Sequence, residues 1–204
     1  MLKHLSFFCA IFVAFILCSC VETAIIGGTS TGILYTRHKS IDNTKSDIAI
    51  ASKLAGKLLI NGLTTANNFV DTTVSEGRVL LTGMVTSNDN AKLAQDLAWK
   101  IDGVHEVIDE LHICENCKLS ANGMAKSVID GFITGEVETA LLFAKKVKSF
   151  NFTANTVDKT VYILGIANDE AEMNLVLKIA SKIKGVKKVV NHIILADDVR
   201  RKQE

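Results

Sequence analysis

VSEGRVLLTGMVTSNDNAKLAQDLAWKIDGVHEVIDELHI, from Val74 to Ile113, lies without a gap over TVDKTVYILGIANDEAEMNLVLKIASKIKGVKKVVNHIIL, from Thr156 to Leu195. The positions that agree are those that packing would select. Val79, Leu81, Gly83 and Val85 answer to Val161, Ile163, Gly165 and Ala167, an apolar row of period two that marks the buried face of a strand. Leu93, Ala94, Leu97, Ala98 and Ile101 answer to Leu175, Val176, Ile179, Ala180 and Ile183, one stripe of an amphipathic helix. Asp102-Gly103-Val104 answers to Lys184-Gly185-Val186, where glycine closes the helix and valine opens the next strand. The chain contains a duplicated domain.

Upstream of each block runs a further apolar stripe at four-residue spacing, Ile50, Leu54 and Leu58 in the first copy and Ile133, Val137 and Leu141 in the second. Extended segments follow, Phe69 to Val74 and Phe150 to Thr156, and the turns at Ser75-Glu76-Gly77 and Asp158-Lys159 fold each into a hairpin. Each copy therefore reads helix, strand, strand, helix, strand. The expected fold is α+β, with two helices packed on a three-stranded mixed sheet, because one layer must hide the apolar face of the other. Gly83 and Gly165 read as strand positions where a helix passes too close for a side chain.

The N-terminus carries a different signal. Lys3 and His4 precede an apolar run from Leu5 to Leu17, shorter than the ~20 residues that cross a bilayer. A short basic region, an apolar stretch of this length and small residues after it are the anatomy of a secretory signal peptide. Leu17-Cys18-Ser19-Cys20 resembles the bacterial lipobox, which makes Cys20 the lipidation site and the new N-terminus. The expected organisation is a signal peptide over 1–19, a lipidated linker over 20–45, a first domain over 46–113, an interdomain linker over 114–126, a second domain over 127–196 and a tail over 197–204.

The αββαβ order, the hairpin ending in Val79-Leu80-Leu81-Thr82-Gly83-Met84-Val85, and the helix closing on Gly103-Val104-His105-Glu106-Val107 resemble the BON domain. The second copy has Val161-Tyr162-Ile163-Leu164-Gly165-Ile166-Ala167 and Gly185-Val186-Lys187-Lys188-Val189. A lipobox followed by two such units is similar to the dual-BON outer-membrane lipoproteins. The resemblance implies a non-catalytic binding module of the bacterial envelope, lipid-anchored at the periplasmic face of the outer membrane, that engages anionic phospholipid and supports membrane integrity. It implies no cofactor and no metal.

The sequence supplies means for such binding. Over 46–113, nine acidic side chains face five basic ones, a net charge of −4, whereas over 127–196 seven acidic face nine basic, a net charge of +2. Lys145, Lys146 and Lys148 follow the second domain's first helix, and each lysine near an anionic surface adds on the order of 1 kcal/mol. The family resemblance places an aromatic residue of that helix in the headgroup region, and Phe132, directly before Ile133, occupies the matching position. The expected phospholipid site is thus Phe132, Ile133, Lys145, Lys146 and Lys148. Taken singly, Phe132, Phe143 and Phe150 also read as core residues.

Cys114-Glu115-Asn116-Cys117 follows the first domain's last strand. It reads as a small-loop disulfide in an oxidising compartment, as free thiols, or as a metal or redox pair with His105 and His112 near in sequence. No nucleophile elbow, phosphate-binding glycine loop or metalloprotease motif occurs, and the formal net charge of +1 argues against nucleic acid as a partner. Two other functions remain open at this stage: an adaptor binding other envelope proteins through the acidic first domain, and a thiol-based enzyme.

Overall fold

The computed structural model describes residues 41–114 and 121–202. In the first copy, α1 (Ile41–Ile60) leads to β1 (Phe69–Ser75), β2 (Arg78–Val85), α2 (Asn88–Trp99) and β3 (Glu106–Ile113). The second copy repeats the order as α3 (Ala121–Phe143), β4 (Phe152–Val157), β5 (Thr160–Ala167), α4 (Glu170–Ser181) and β6 (Lys188–Leu195). Each sheet keeps its hairpin antiparallel and receives the last strand parallel to the middle one, with α2 or α4 as the crossover. The αββαβ units and their mixed sheets are as the sequence pattern required. Ile50, Leu54 and Leu58 of α1 pack with Val79, Leu81 and Val85 of β2 and with Ala94, Leu97 and Ala98 of α2. Ile133, Val137 and Leu141 form the corresponding core with Val161, Ile163, Ala167, Val176 and Ala180.

α1 starts inside the stretch expected as a lead-in, and α3 starts at Ala121, inside the stretch expected as an interdomain linker. The tail also holds structure, a short 3-10 helix over Val199–Lys202.

Each hairpin turns through two residues of positive φ, Glu76-Gly77 and Asp158-Lys159. Three of these four residues carry a Cβ, which such a conformation disfavours. A buried carboxylate on the preceding helix holds each turn. Asp47 accepts from the N–H groups of Glu76 and Gly77 at 2.8 and 2.9 Å, and Asp130 accepts from Asp158 and Lys159 at 2.8 and 2.9 Å.

The glycine reading needs correction. A Cβ on Gly83 would lie 2.0 Å from the carbonyl oxygen of Phe69, and one on Gly165 would lie 2.3 Å from that of Asn151. The close neighbour is the backbone leading into the hairpin partner strand, not a helix.

The sheet faces that the helices leave uncovered meet each other. Leu80, Tyr162 and Leu164 form a separate apolar cluster, flanked by Ile108, Val157 and Val190. Polar contacts frame it. Arg78, only 2% exposed, pairs with Glu106 and donates to the carbonyl of His192 at 3.1 Å, and His192 Nε2 lies 3.0 Å from Glu110. Leu80 and Tyr162 are equivalent positions of the repeat, and so are Glu110 and His192. The two copies therefore pack through the same patch on each, as the subunits of an isologous dimer do.

Candidate functional site

α3 carries two stripes. Asp130, Ile133, Val137 and Leu141 face the core. On the outer side Val128, Ile129, Phe132, Leu142 and Phe143 are exposed, with Phe132 at 72% and Phe143 at 79%. At 1.5 Å per residue these two rings stand about 17 Å apart along the helix. Between them the surface dips over Gly131, Gly135, Thr139 and Ala140 into a shallow groove that Ile183 closes from α4's end. No side chain approaches within 4 Å of where a Cβ would stand on Gly131 or Gly135, so the groove is open.

The sequence-expected residues do not all gather here. Phe132 does, contrary to its reading as core. Ile133, 4% exposed, does not: it lies under Gly185, whose Cβ would be 3.3 Å from Ile133 Cδ1, and so it packs the core and cannot touch a bilayer. Lys145 and Lys146 are exposed but follow the far end of α3, beyond Phe143. Lys148 is tied into the loop, its Nζ donating to Asn168 Oδ1 at 3.2 Å and its N–H to Glu172 at 2.7 Å. The Gly185–Ile133 contact brings the α4–β6 connection, with Lys182 and Lys184, to the Phe132 end instead. The signal for Phe143 and Val128 was present as a second apolar stripe on α3, at offsets of four, seven and eleven from Val128 through Phe132, Gly135 and Thr139.

The first copy differs at this surface. With Ile50 and Ile133 in register, Lys45, Ser46 and Ala49 stand where the second copy has Val128, Ile129 and Phe132. Leu59 and Ile60 match Leu142 and Phe143 and are likewise exposed. The divergence continues along the groove, where Lys53 and Lys57 stand for Glu136 and Ala140.

Cys20 and Cys117 lie outside the described residues, and Cys114 is disulfide-bonded. The histidines weighed as zinc ligands are engaged elsewhere. His105 Nε2 lies 2.6 Å from the Glu76 carbonyl and His112 Nε2 lies 2.9 Å from the Tyr162 hydroxyl. Among the described residues, no three His, Cys, Asp or Glu side chains are grouped to hold a metal ion, and no helix is long and apolar enough to cross a membrane.

Residues 46–115 and 130–197 each match the BON domain. This chain belongs to the BON-domain family. An uncharacterized protein from the gshII 5' region of Anaplasma centrale is 34% identical over 149 residues, covering 73% of this chain and 94% of that protein. The outer membrane lipoprotein DolP of Haemophilus influenzae is 29% identical, covering 84% of this chain and 86% of DolP. The osmotically-inducible protein Y of Escherichia coli is 29% identical, covering 75% of this chain and 74% of its own. The chain is thus a dual-BON protein of the DolP and OsmY type.

Proposed function

We propose that this BON protein works at the bacterial envelope, held at the periplasmic face of the outer membrane by lipidated Cys20, and that its second domain docks on anionic phospholipid to support membrane integrity. The relatives' names support the envelope, and the lipobox supports the anchor. The observation that carries the docking site is Phe132, an aromatic ring exposed on α3 where the first copy has Ala49. The family resemblance gives Phe132 the place of the residue that enters the headgroup layer. Phe143, Leu142 and Val128 extend the apolar face. Lys182 and Lys184 at the Phe132 end, with Lys145 and Lys146 at the other, give the ends of that face positive charge against Glu136 in the groove between them, which favours anionic over neutral lipid. Cys114 and Cys117 close a small loop after β3 on this reading, a structural brace and not a redox centre.

A single lipid chain gives only marginal retention, so an anchor combined with a docking face makes physical sense. The acyl chains would mask the contribution of the face, and the test therefore uses the unacylated chain with vesicles containing or lacking phosphatidylglycerol. Phe132→Glu should abolish co-sedimentation with the anionic vesicles and leave the unfolding midpoint in place. Equal binding of the parent to neutral and anionic vesicles would sink this reading in favour of an adaptor that binds envelope proteins through the acidic first domain.

A further inference from the structure

The α4–β6 side of the second domain holds a cleft of about 470 Å³ at the edge of its sheet. Lys178 and Ser181 of α4 line it with Lys187, Lys188 and Asn191, over an apolar floor of Val186 and Val189. We infer that this cleft is a second anion site, which takes the phosphate of a phospholipid headgroup. It supplements the α3 docking face and shares no residue with it.

The duplication provides an internal control. At equivalent positions the first domain has Asp96 for Lys178, Glu106 for Lys188, Asp109 for Asn191 and Trp99 for Ser181. The same scaffold accepts both sets, so folding alone does not require lysines here. In the first domain the polar groups are used internally: Glu106 pairs with buried Arg78, and Asp109 accepts from Gln95 Nε2 at 2.6 Å. In the second, Asn191 Oδ1 accepts from the Ile193 N–H at 2.9 Å and Ser181 Oγ donates to the Lys178 carbonyl at 3.0 Å, which leaves the lysines to be accounted for. Among the described residues Lys178 and Lys188 form no ion pair, and Lys187 approaches Asp158 only at 3.9 Å, a distance at which Lys126 also approaches it. Among the described residues the Asn191 Nδ2 group donates to the Met173 sulfur, a weak acceptor, at 3.5 Å.

Lysines also guard exposed sheet edges against pairing with other chains, and β6 is an edge strand. That accounts for Lys187 and Lys188, but not for Lys178 on the helix, where the first domain carries Asp96. Three ammonium groups and an amide N–H supply donors and positive charge, which suits the anionic oxygens of a phosphodiester better than a neutral carboxamide or sugar hydroxyl. Ile183, on the same connection, closes the α3 groove, so a phosphate here and an apolar face there can meet one membrane.

The test reads the unacylated chain, labelled with nitrogen-15, by amide chemical shifts. Glycerophosphoglycerol, a headgroup without acyl chains, should shift Lys178, Ser181 and Asn191 saturably, and Lys178→Asp with Lys188→Glu should weaken this at least tenfold. Those replacements are the residues that the first domain already carries at these positions, so the fold should survive. Phosphatidylglycerol vesicles should compete with the soluble headgroup. No saturable shift in the parent, or parent-like binding by the double variant, overturns the inference. Inorganic phosphate binding as tightly, with no competition from vesicles, also overturns the lipid assignment. Phe132→Glu separates this site from the α3 face: loss of vesicle binding with the headgroup titration retained leaves the cleft standing, and loss of both rejects it as an independent site.

Discussion

Tyr162, on the middle strand of the second domain, holds its hydroxyl 2.9 Å from Nε2 of His112 on the last strand of the first. Its ring is 2% exposed and packs with Leu80, the equivalent residue of the other copy. One side chain thus supplies both an apolar and a polar contact across the domain boundary. Tyr162→Phe should cost about 0.5–1.5 kcal/mol, the net value of a hydrogen bond. Tyr162→Ala should cost about 3–5 kcal/mol, because it opens a cavity between the sheets. Urea denaturation measures both, and the Ala variant should separate the unfolding of the two domains. A single transition with an unchanged midpoint in both variants would show that the sheets do not depend on this contact.

The same phenol sets an alkaline limit. Burial, and then the Glu110 carboxylate, raises its pKa above the ordinary 10.0. Between the unfolded value and the higher folded one, the native state binds more protons than the unfolded chain, so stability falls as pH rises. The contribution is complete below about pH 10 and is lost through the folded value. The urea midpoint should therefore drop more steeply above about pH 10 in the parent than in Tyr162→Phe. Parallel slopes would rule out Tyr162 as the group responsible.

Asp130 governs a local element. Its carboxylate takes both N–H groups of a turn whose two residues, Asp158 and Lys159, have positive φ without being glycine. Asp130→Ala leaves two donors without that acceptor in a strained turn, at a cost of about 1–3 kcal/mol. Asp130→Asn keeps acceptor capacity but donates from its other side, so it should recover part of the loss. Amide exchange at Asp158 and Lys159 should accelerate most in the Ala variant. If Lys159→Gly rescues it, strain is the mechanism.

Much of this fold is legible in the sequence because it depends on periodic features. The rows at Val79, Leu81 and Val85 and at Leu93, Leu97 and Ile101 repeat 82 residues later, and a repeated amphipathic pattern admits few arrangements. Leu80, Tyr162 and Leu164 were equally apolar, yet a strand with both faces apolar does not say what covers the second face. Asp47 and Asp130 recur at the same place in both copies, but a lone carboxylate on a helix reads as solvated until the turn it holds is known. Ile133 and Phe132 differ by one residue and face opposite ways, a distinction made by helix phase and lost in a motif match. Gly83 and Gly165 announced a close approach, but the expected neighbour was a helix and the actual one is the backbone leading into the partner strand, which a glycine alone does not distinguish.

The tail, which the sequence left as a terminus, fastens the two domains. Arg201 donates to both carboxylate oxygens of Glu76 at 2.9 and 3.1 Å, and so reaches from beyond β6 to the hairpin turn of the first domain. Arg200 pairs with Asp198 at 2.7 Å and approaches Glu106 at 3.5 Å. The forked guanidinium matters: Arg201→Lys keeps the charge but cannot reproduce two parallel bonds, so it should lose part of what Arg201→Ala loses, about 1.5–3 kcal/mol for charge-assisted bonds in a partly buried place. A double-mutant cycle with Glu76→Gln should show that the losses are shared, and amide exchange at Gly77 should rise in every variant. The hydrogen bond from Arg200 lowers the Asp198 carboxyl from 3.8 to about 2. A depressed carboxyl contributes stability above its unfolded value and loses it as pH falls through the folded one, so the Asp198–Arg200 pair should weaken between about pH 4 and pH 2. Removing the residues after Ala196 should loosen the Glu76 turn at neutral pH, because Arg201 goes with them. A truncated chain with parental exchange at Gly77 and parental stability would mean that the tail rests on the first domain without holding it.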